Sequence, residues 1–479
     1  MTLLMNQRLS AVRSVRMSAR VLFSAVAAVL SVGVFPASAA SVVKPTARQL
    51  EWADCEIGVI IHQDVQVYDQ SYVSHTASNL PPASVFNPTA LDTDQWIETA
   101  VQAGATYAVL VAKHCSGFSL WPTKAHGYSV ASSPWKGGKG DIVADFIASC
   151  RKYGVRPGLY ASTGRNGYCG LYSPSTKMSD EQWKRYVDVV KTQLGELWSK
   201  YGELFEIWFD GGMLPEDRGG REIEEMLKKL QPNALVFQGK PEKMMSLRWT
   251  GNERAHAAEA CWNRTNLGTN SMGLKDELGE RFTGRPDGRY WCPAEADTPN
   301  RDAMYAFQGG WFWRPGEDGY VFPAETLLDR YMTSVGRNCN LLIGMVIDNR
   351  GLVPDADVRE FRRFGQLVKD MYSRPVGSVS GKGFFDEQIR TRRFEIDVPG
   401  GMKPSLASIR EDLTNGENVR CFAISGYDGK VWRSVAHDWN IGHRRLVRFR
   451  PGPYSRFRLD VWGFAGNPDP VIRDFSLYE

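Results

Sequence analysis

Residues 204–212 read LFEIWFDGG, and the fold turns on this stretch. Leu204, Phe205, Ile207, Trp208 and Phe209 are apolar, and Asp210 stands directly before Gly211-Gly212. A short apolar run closed by turn residues predicts a buried strand. An acid at the C-terminal end of such a strand sits where a parallel α/β barrel keeps its chemistry. The same aspartate could equally form a turn or pair with a buried arginine, and the stretch alone leaves these readings open.

Working outward, apolar runs alternate with amphipathic ones. Strands are predicted at 55–62 (CEIGVIIH), 107–113, 156–162, 204–210, 235–238, 246–253, 290–295 and 341–347. Helices are predicted at 92–103, 142–153, 179–201, 222–230, 324–335 and 358–372. Asp92 with Gln95 and Ser179 with Gln182 have capping-box spacing, Asp141 opens a third helix and Pro232 stops a fourth. Strand–helix alternation over this length predicts an α/β fold, a (β/α)8-like TIM barrel spanning residues 40–374. Residues 63–88 form a long loop with Tyr68, Tyr72 and His75, and the polar stretch 253–289 is expected to loop over the barrel mouth. Residues 375–381 look like a linker. Beyond them short strands (391–398, 418–424, 430–434, 446–449, 456–461, 471–477) separated by turns predict a C-terminal β-sandwich, residues 375–479.

Arg8, Arg13, Arg16 and Arg20 precede the apolar run 21–35 (VLFSAVAAVLSVGVF), and Ala37-Ser38-Ala39 fits a cleavage site. Residues 1–39 are therefore expected to be a signal peptide and the chain to be exported, periplasmic or extracellular, with no membrane contact after cleavage. A net charge of +4 on 479 residues gives no support for a nucleic-acid partner. The eight cysteines are scattered with no CxxC pair, so no zinc site is expected and most are read as buried thiols. Fifteen tryptophans point weakly to a sugar-lined cleft, since tryptophan also fills cores.

The polar residues of interest share one position. His62 ends the first strand, Lys113-His114 the second, Tyr160 the third, Asp210 the fourth, Glu253 the sixth and Glu295 the seventh. In a parallel barrel these ends converge on one rim. Two carboxylates with histidines and aromatic walls suit glycoside hydrolysis, where one carboxylate attacks the anomeric carbon and another protonates the leaving oxygen. No Gly-rich phosphate loop, HExxH or GxSxG competes with that reading. No cofactor is expected.

The chain resembles the glycoside hydrolase family 29 α-L-fucosidases over nearly all of its mature length. The motifs are GVIIH (58–62), FNPTALDTDQW (86–96), YAVLVAKHCSGFSLWPTK (107–124), YSVASSPWKGGKGDIV (128–143), EIWFDGG (206–212), WCPAE (291–295) and VGRNCNLLIGM (335–345). The resemblance implies a secreted retaining exo-glycosidase that releases L-fucose from fucosylated glycans through a covalent fucosyl-enzyme. It makes Asp210 the nucleophile and His62, His114, Tyr160 and Trp208 sugar contacts. It offers Trp313, in GGWFW (309–313), for the pocket of the sugar methyl. RWTGNE (248–253) resembles the branch preferring α-1,3/1,4 linkages and points to Glu253 as acid/base, with Glu295 as rival.

Two departures bear on the sugar. Many members have His-Asp where this chain has Cys115-Ser116, and Trp-Gly where it has Gln63-Asp64. A related sugar such as an α-L-galactoside, or a non-catalytic protein that binds fucosylated glycans, are the alternative readings. Trp432, Trp439 and Trp462 in the second domain suit either carbohydrate binding or packing.

Overall fold

A computed structural model describes residues 43–72, 79–173, 175–266, 279–463 and 469–479. The expected signal peptide and His75 lie outside them. Eight strands carry the first region: β1 (Ile57–His62), β2 (Tyr107–Lys113), β3 (Arg156–Ala161), β4 (Glu206–Trp208), β5 (Leu235–Phe237), β6 (Ser246–Trp249), β7 (Ala294–Thr298) and β8 (Cys339–Val346). They close into one barrel in the order β1-β8-β7-β6-β5-β4-β3-β2, with every neighbouring pair parallel.

Helices follow most strands: Thr93–Gln102, Ile142–Tyr153, Asp180–Lys200, Gly220–Leu230, Ala324–Thr333 and Asp355–Met371. Their starts obey the sequence. Asp92 and Asp141 accept from backbone N–H groups of the first turn, and Ser179 with Gln182 closes a reciprocal capping box. A further helix, Ala47–Cys55, precedes β1 with its own box, Thr46 with Gln49.

Three expectations shift. β6 stops at Trp249, because Gly251 takes φ 84° and the Asn252 side chain accepts from the N–H groups of Arg254 and His256. Glu253 is therefore in the loop beyond the strand. The seventh strand is Ala294–Thr298, while Tyr290–Trp291 pairs antiparallel with Arg264–Thr265 in a small side ribbon. The segment read as a linker is instead a strand, Pro375–Gly381, paired with Ile472–Tyr478.

That strand belongs to a four-stranded antiparallel sheet with Leu406–Glu411 and Arg445–Arg448. A five-stranded sheet of Phe384–Asp386, Thr391–Asp397, Arg456–Gly463, Val419–Tyr427 and Trp432–Asp438 completes the second region. Ile396, Ile409, Phe422, Phe457 and Phe475 fill the core of this region. Trp439 is exposed, so it contributes little to that core.

An ion cluster joins this region to the base of the barrel. Glu56, just ahead of β1, accepts from Arg444 Nε at 2.6 Å and His443 Nε2 at 3.2 Å, and its other oxygen accepts from the Tyr331 hydroxyl at 3.0 Å. Burial by itself would raise the Glu56 carboxyl, but the His443 bond and the Arg444 charge outweigh it and hold the group at about 2. An unfolded glutamate titrates near 4.3, so the folded state gains from ionised Glu56 above that pH and loses the gain as pH falls toward 2. Glu56→Gln is therefore expected to lower unfolding free energy at neutral pH by on the order of 3 kcal/mol. It should also flatten the acid limb between about pH 4.5 and 2, read by denaturant titrations across pH. An unchanged acid limb would show that the cluster carries no such coupling.

Candidate active site

The interior of the barrel is laid in levels because successive inward residues of a strand stand two positions apart. The lowest level is polar. Tyr107, at the start of β2, reaches across to donate to Glu295 Oε1 at 2.7 Å. It can cross only because β1 carries Gly58 there: a Cβ at Gly58 would stand 2.3 Å from the Tyr107 ring. Trp208 Nε1 donates to the other Glu295 oxygen at 2.9 Å. Glu206 shares this level with Glu295, and burial pushes both carboxyls up, Glu206 further because Glu295 repels its charge. Burial and mutual repulsion favour the protonated form at this level.

Glu295 is thus the second residue of β7 and fully buried, below the rim and outside the cavity. The strand read as ending at 295 begins at 294, which moves this acid from the mouth to the floor.

Above the floor a cavity of about 780 Å³ opens at the C-terminal ends of the strands. Asp210 lies two residues past β4, ahead of Gly211 and Gly212 at φ 76° and 88°, and is exposed to the cavity. The Tyr160 hydroxyl, near the end of β3, donates to Asp210 Oδ2 at 3.0 Å. Burial, and after it the Asp210 charge, raises the Tyr160 phenol, so it stays a donor. The Trp208 ring lies between Tyr160 (centroids 5.4 Å apart) and Phe237 (3.9 Å), and lines the cavity.

His62 closes β1 and is 5% exposed. Its Nδ1 faces the Ile60 carbonyl at 3.3 Å. A carbonyl only accepts, so Nδ1 carries the hydrogen and Nε2 is left as an acceptor. Burial lowers the ring to about 4, so it is neutral at ordinary pH. His114, one residue past β2, stacks on Tyr160 at 6.0 Å with planes 17° apart. Phe312 sets its edge against both histidines, 5.3 Å from His62 and 4.9 Å from His114.

Of the GGWFW segment, Trp311 and Phe312 face the cavity. Trp313 lies behind them, packed on the cluster of Val67, Phe307 and Phe312. Trp311 comes close because β8 carries Gly344, where a Cβ would stand 2.7 Å from the indole. Trp311 Nε1 donates to Glu253 Oε2 at 3.1 Å, which aims that loop carboxylate at the cavity.

The sequence does not single out Asp297, and it marks Asp64 only as part of the Gln63-Asp64 departure. Asp297, the fourth residue of β7, lines the cavity and accepts from Trp249 Nε1 at 2.7 Å. The signal for it is the period of two from Glu295, legible only once the strand is placed correctly. Asp64 lies under His114: its Oδ1 accepts from Ser116 Oγ and from Val65 N–H, each at 2.7 Å, and its Oδ2 is 4.0 Å from His114 Nδ1. Burial lifts the Asp64 carboxyl to about 7, against the pull of Ser116, Val65 and Lys113. Among the described residues no group of three or more His, Cys, Asp or Glu is placed to hold a metal ion. None of their helices is long and apolar enough to cross a membrane.

Comparisons with known proteins agree with one another. The family profile described as alpha-L-fucosidase matches residues 33–371. Alpha-L-fucosidase 1 of Arabidopsis thaliana is 28% identical over 475 residues, covering 91% of this chain and 87% of its own. A crystal structure from Bacteroides thetaiotaomicron VPI-5482, assigned to the alpha-L-fucosidases, is 32% identical with a TM-score of 0.83, covering 92% of this chain and 100% of that one. A Ruminococcus gnavus GH29 fucosidase solved with fucose shares the fold at 20% identity, TM-score 0.76, with 93% and 97% covered.

The buried floor yields its own prediction. Glu295→Gln replaces one of two acceptor oxygens by a donor facing Tyr107 or Trp208, and is expected to lower unfolding free energy by about 1–3 kcal/mol. Thermal and denaturant melts measure it, and a variant as stable as the parent would remove the floor from this account.

Proposed function

We infer the reaction from a premise now in hand: the chain belongs to the α-L-fucosidase family, and it is a glycoside hydrolase whose sugar is α-L-fucose. The finer reading is that it is exported and retaining, releasing L-fucose from α-1,3/1,4-fucosylated glycans. The observation that carries the mechanism is the exposed Asp210 carboxylate held by Tyr160, on one cavity with Glu253 and the two histidines.

In this mechanism Asp210 attacks the anomeric carbon as the glycosidic bond breaks, and Glu253 gives its proton to the departing oxygen. A fucosyl ester on Asp210 results. Glu253, now ionised, takes a proton from water, whose oxygen attacks the same carbon and frees Asp210. Tyr160 fixes the rotation of the nucleophile, and Trp311 fixes Glu253. Neutral His62 offers Nε2 to a sugar hydroxyl. The apolar ring of Phe312, standing on both histidines, suits the methyl carbon of a 6-deoxy sugar better than the hydroxymethyl of a galactoside. The sequence RWTGNE supports the α-1,3/1,4 preference, and the basic-then-apolar N-terminus supports export.

Asp210→Ala and Asp210→Asn are expected to lose turnover of an aryl α-L-fucoside by on the order of 10⁴-fold or more. The parent enzyme should release the α-anomer first, seen by proton NMR. Fucose should be freed from α-1,3- and α-1,4-linked oligosaccharides faster than from α-1,2- or α-1,6-linked ones. Undiminished turnover in the Asp210 variants would overturn the nucleophile, and a β-anomer first would overturn retention.

A further inference from the structure

We propose that Asp297 is a substrate-binding carboxyl of this cavity, one that donates a hydrogen bond to a hydroxyl of the bound sugar and is neither nucleophile nor acid/base. The proposal rests on reading the cavity as the fucose site. Asp297 follows Glu295 by two positions on β7, so it faces the same interior about 6–7 Å nearer the mouth. There it meets the cavity while remaining 5% exposed. Trp249, from the neighbouring strand β6, also lines the cavity and commits its Nε1 to Asp297 Oδ1 at 2.7 Å. The indole fixes the carboxyl plane and leaves Oδ2 for the ligand.

The chemistry of the group suits a donor. Burial raises the Asp297 carboxyl well above its ordinary value, and the nearby charges of Glu253 and Glu295 raise it further. The shift favours the protonated carboxyl, which has an O–H to give. A neutral carboxyl can bind a sugar hydroxyl as donor or acceptor, where an ionised one could only accept. It also differs from Asp210, which is exposed and held by a phenol as a carboxylate should be. Asp297 is the poorer proton shuttle: its buried position is further from water than that of Glu253, which stands exposed on the loop beyond β6.

The test uses binding, so that it does not depend on turnover. The full-length enzyme, Asp297→Ala and Asp297→Asn are titrated with L-fucose and with 2-, 3- and 4-deoxy-L-fucose. Asp297→Ala is expected to weaken L-fucose binding about 10- to 100-fold. For one deoxy sugar the loss should vanish, because the hydroxyl that Asp297 binds is already missing. Asp297→Asn keeps a donor and should lose less than about fivefold on L-fucose. If the alanine variant does not fold, the asparagine variant carries the same cycle, with its smaller loss again confined to sugars that retain the one hydroxyl. Equal losses on all four sugars would reduce Asp297 to a support for Trp249 and overturn the proposal. So would recovery of Asp297→Ala turnover by azide with formation of a fucosyl azide, since that marks an acid/base. A failure of the underlying reading shows separately, as a parent that binds no L-fucose or as Asp210 variants with full turnover.

Discussion

Closing eight parallel strands into a barrel removes every sheet edge and leaves one interior to fill, and this constraint governs the rest of the molecule. Most barrel interiors are filled with branched apolar side chains. Here the floor is filled instead by Tyr107, Glu206, Glu295 and Trp208, and Tyr107 and Trp208 are tied to Glu295 by hydrogen bonds across the barrel. A buried carboxyl calls for such partners, so Tyr107, Trp208 and Glu295 fix each other's positions. Trp208 passes that order upward. Its Nε1 is held by Glu295 below, its ring supports Tyr160, and Tyr160 holds Asp210 at the rim. Asp210 is therefore positioned by a buried acid it never touches.

The pairing of an indole with a carboxyl recurs at three heights: Trp208 with Glu295 on the floor, Trp249 with Asp297 at mid-cavity, Trp311 with Glu253 at the loops above. The chemistry of the three acids follows from depth rather than from their partners. Where water is excluded, the charged form is penalised and the carboxyl is pushed up, as at Glu295 and Asp297. Glu253, on the loop above, keeps contact with solvent, which suits the acid/base role proposed for it.

The sequence made the barrel legible because its strands are apolar on both faces and the helices after Asp92, Asp141 and Ser179 open on capping residues whose bonds do form. Residues 107–113 and 156–161 needed nothing more. Legibility failed where a local signal was outweighed by a distant one. Tyr290-Trp291 looks like the start of a barrel strand, yet it pairs with Arg264-Thr265, and the barrel resumes only after Pro293. That slip moved Glu295 to the rim in the reading and hid Asp297. Residues 375–381 (PVGSVSG) lack a strand's bulk, and register shifts against 472–478 break their alternation, so pairing alone makes them a strand. Within GGWFW, which tryptophan faces the cavity depends on room made by Gly344 on β8, far away in sequence.

The two departures from the family pattern were separate puzzles in the sequence, and they meet in space. Asp64 comes from the loop after β1 and Ser116 from the loop after β2, and the serine hydroxyl bonds the carboxyl at 2.7 Å. A carboxylate at 116 would face that of Asp64 at hydrogen-bond distance, where two negative charges repel. Each residue therefore makes sense of the other: an acid at 64 calls for a neutral donor at 116. The acid also lies 4.0 Å from His114 Nδ1, so the carboxyl beside this histidine comes from the loop after β1 rather than from the end of its own strand. Cys115 takes no part in that pairing. Burial pushes its thiol up to about 12, so it stays protonated and fills space beside the histidine as an apolar group would. The second histidine expected at 115 is absent, and the acid nearest His114 stands one strand over.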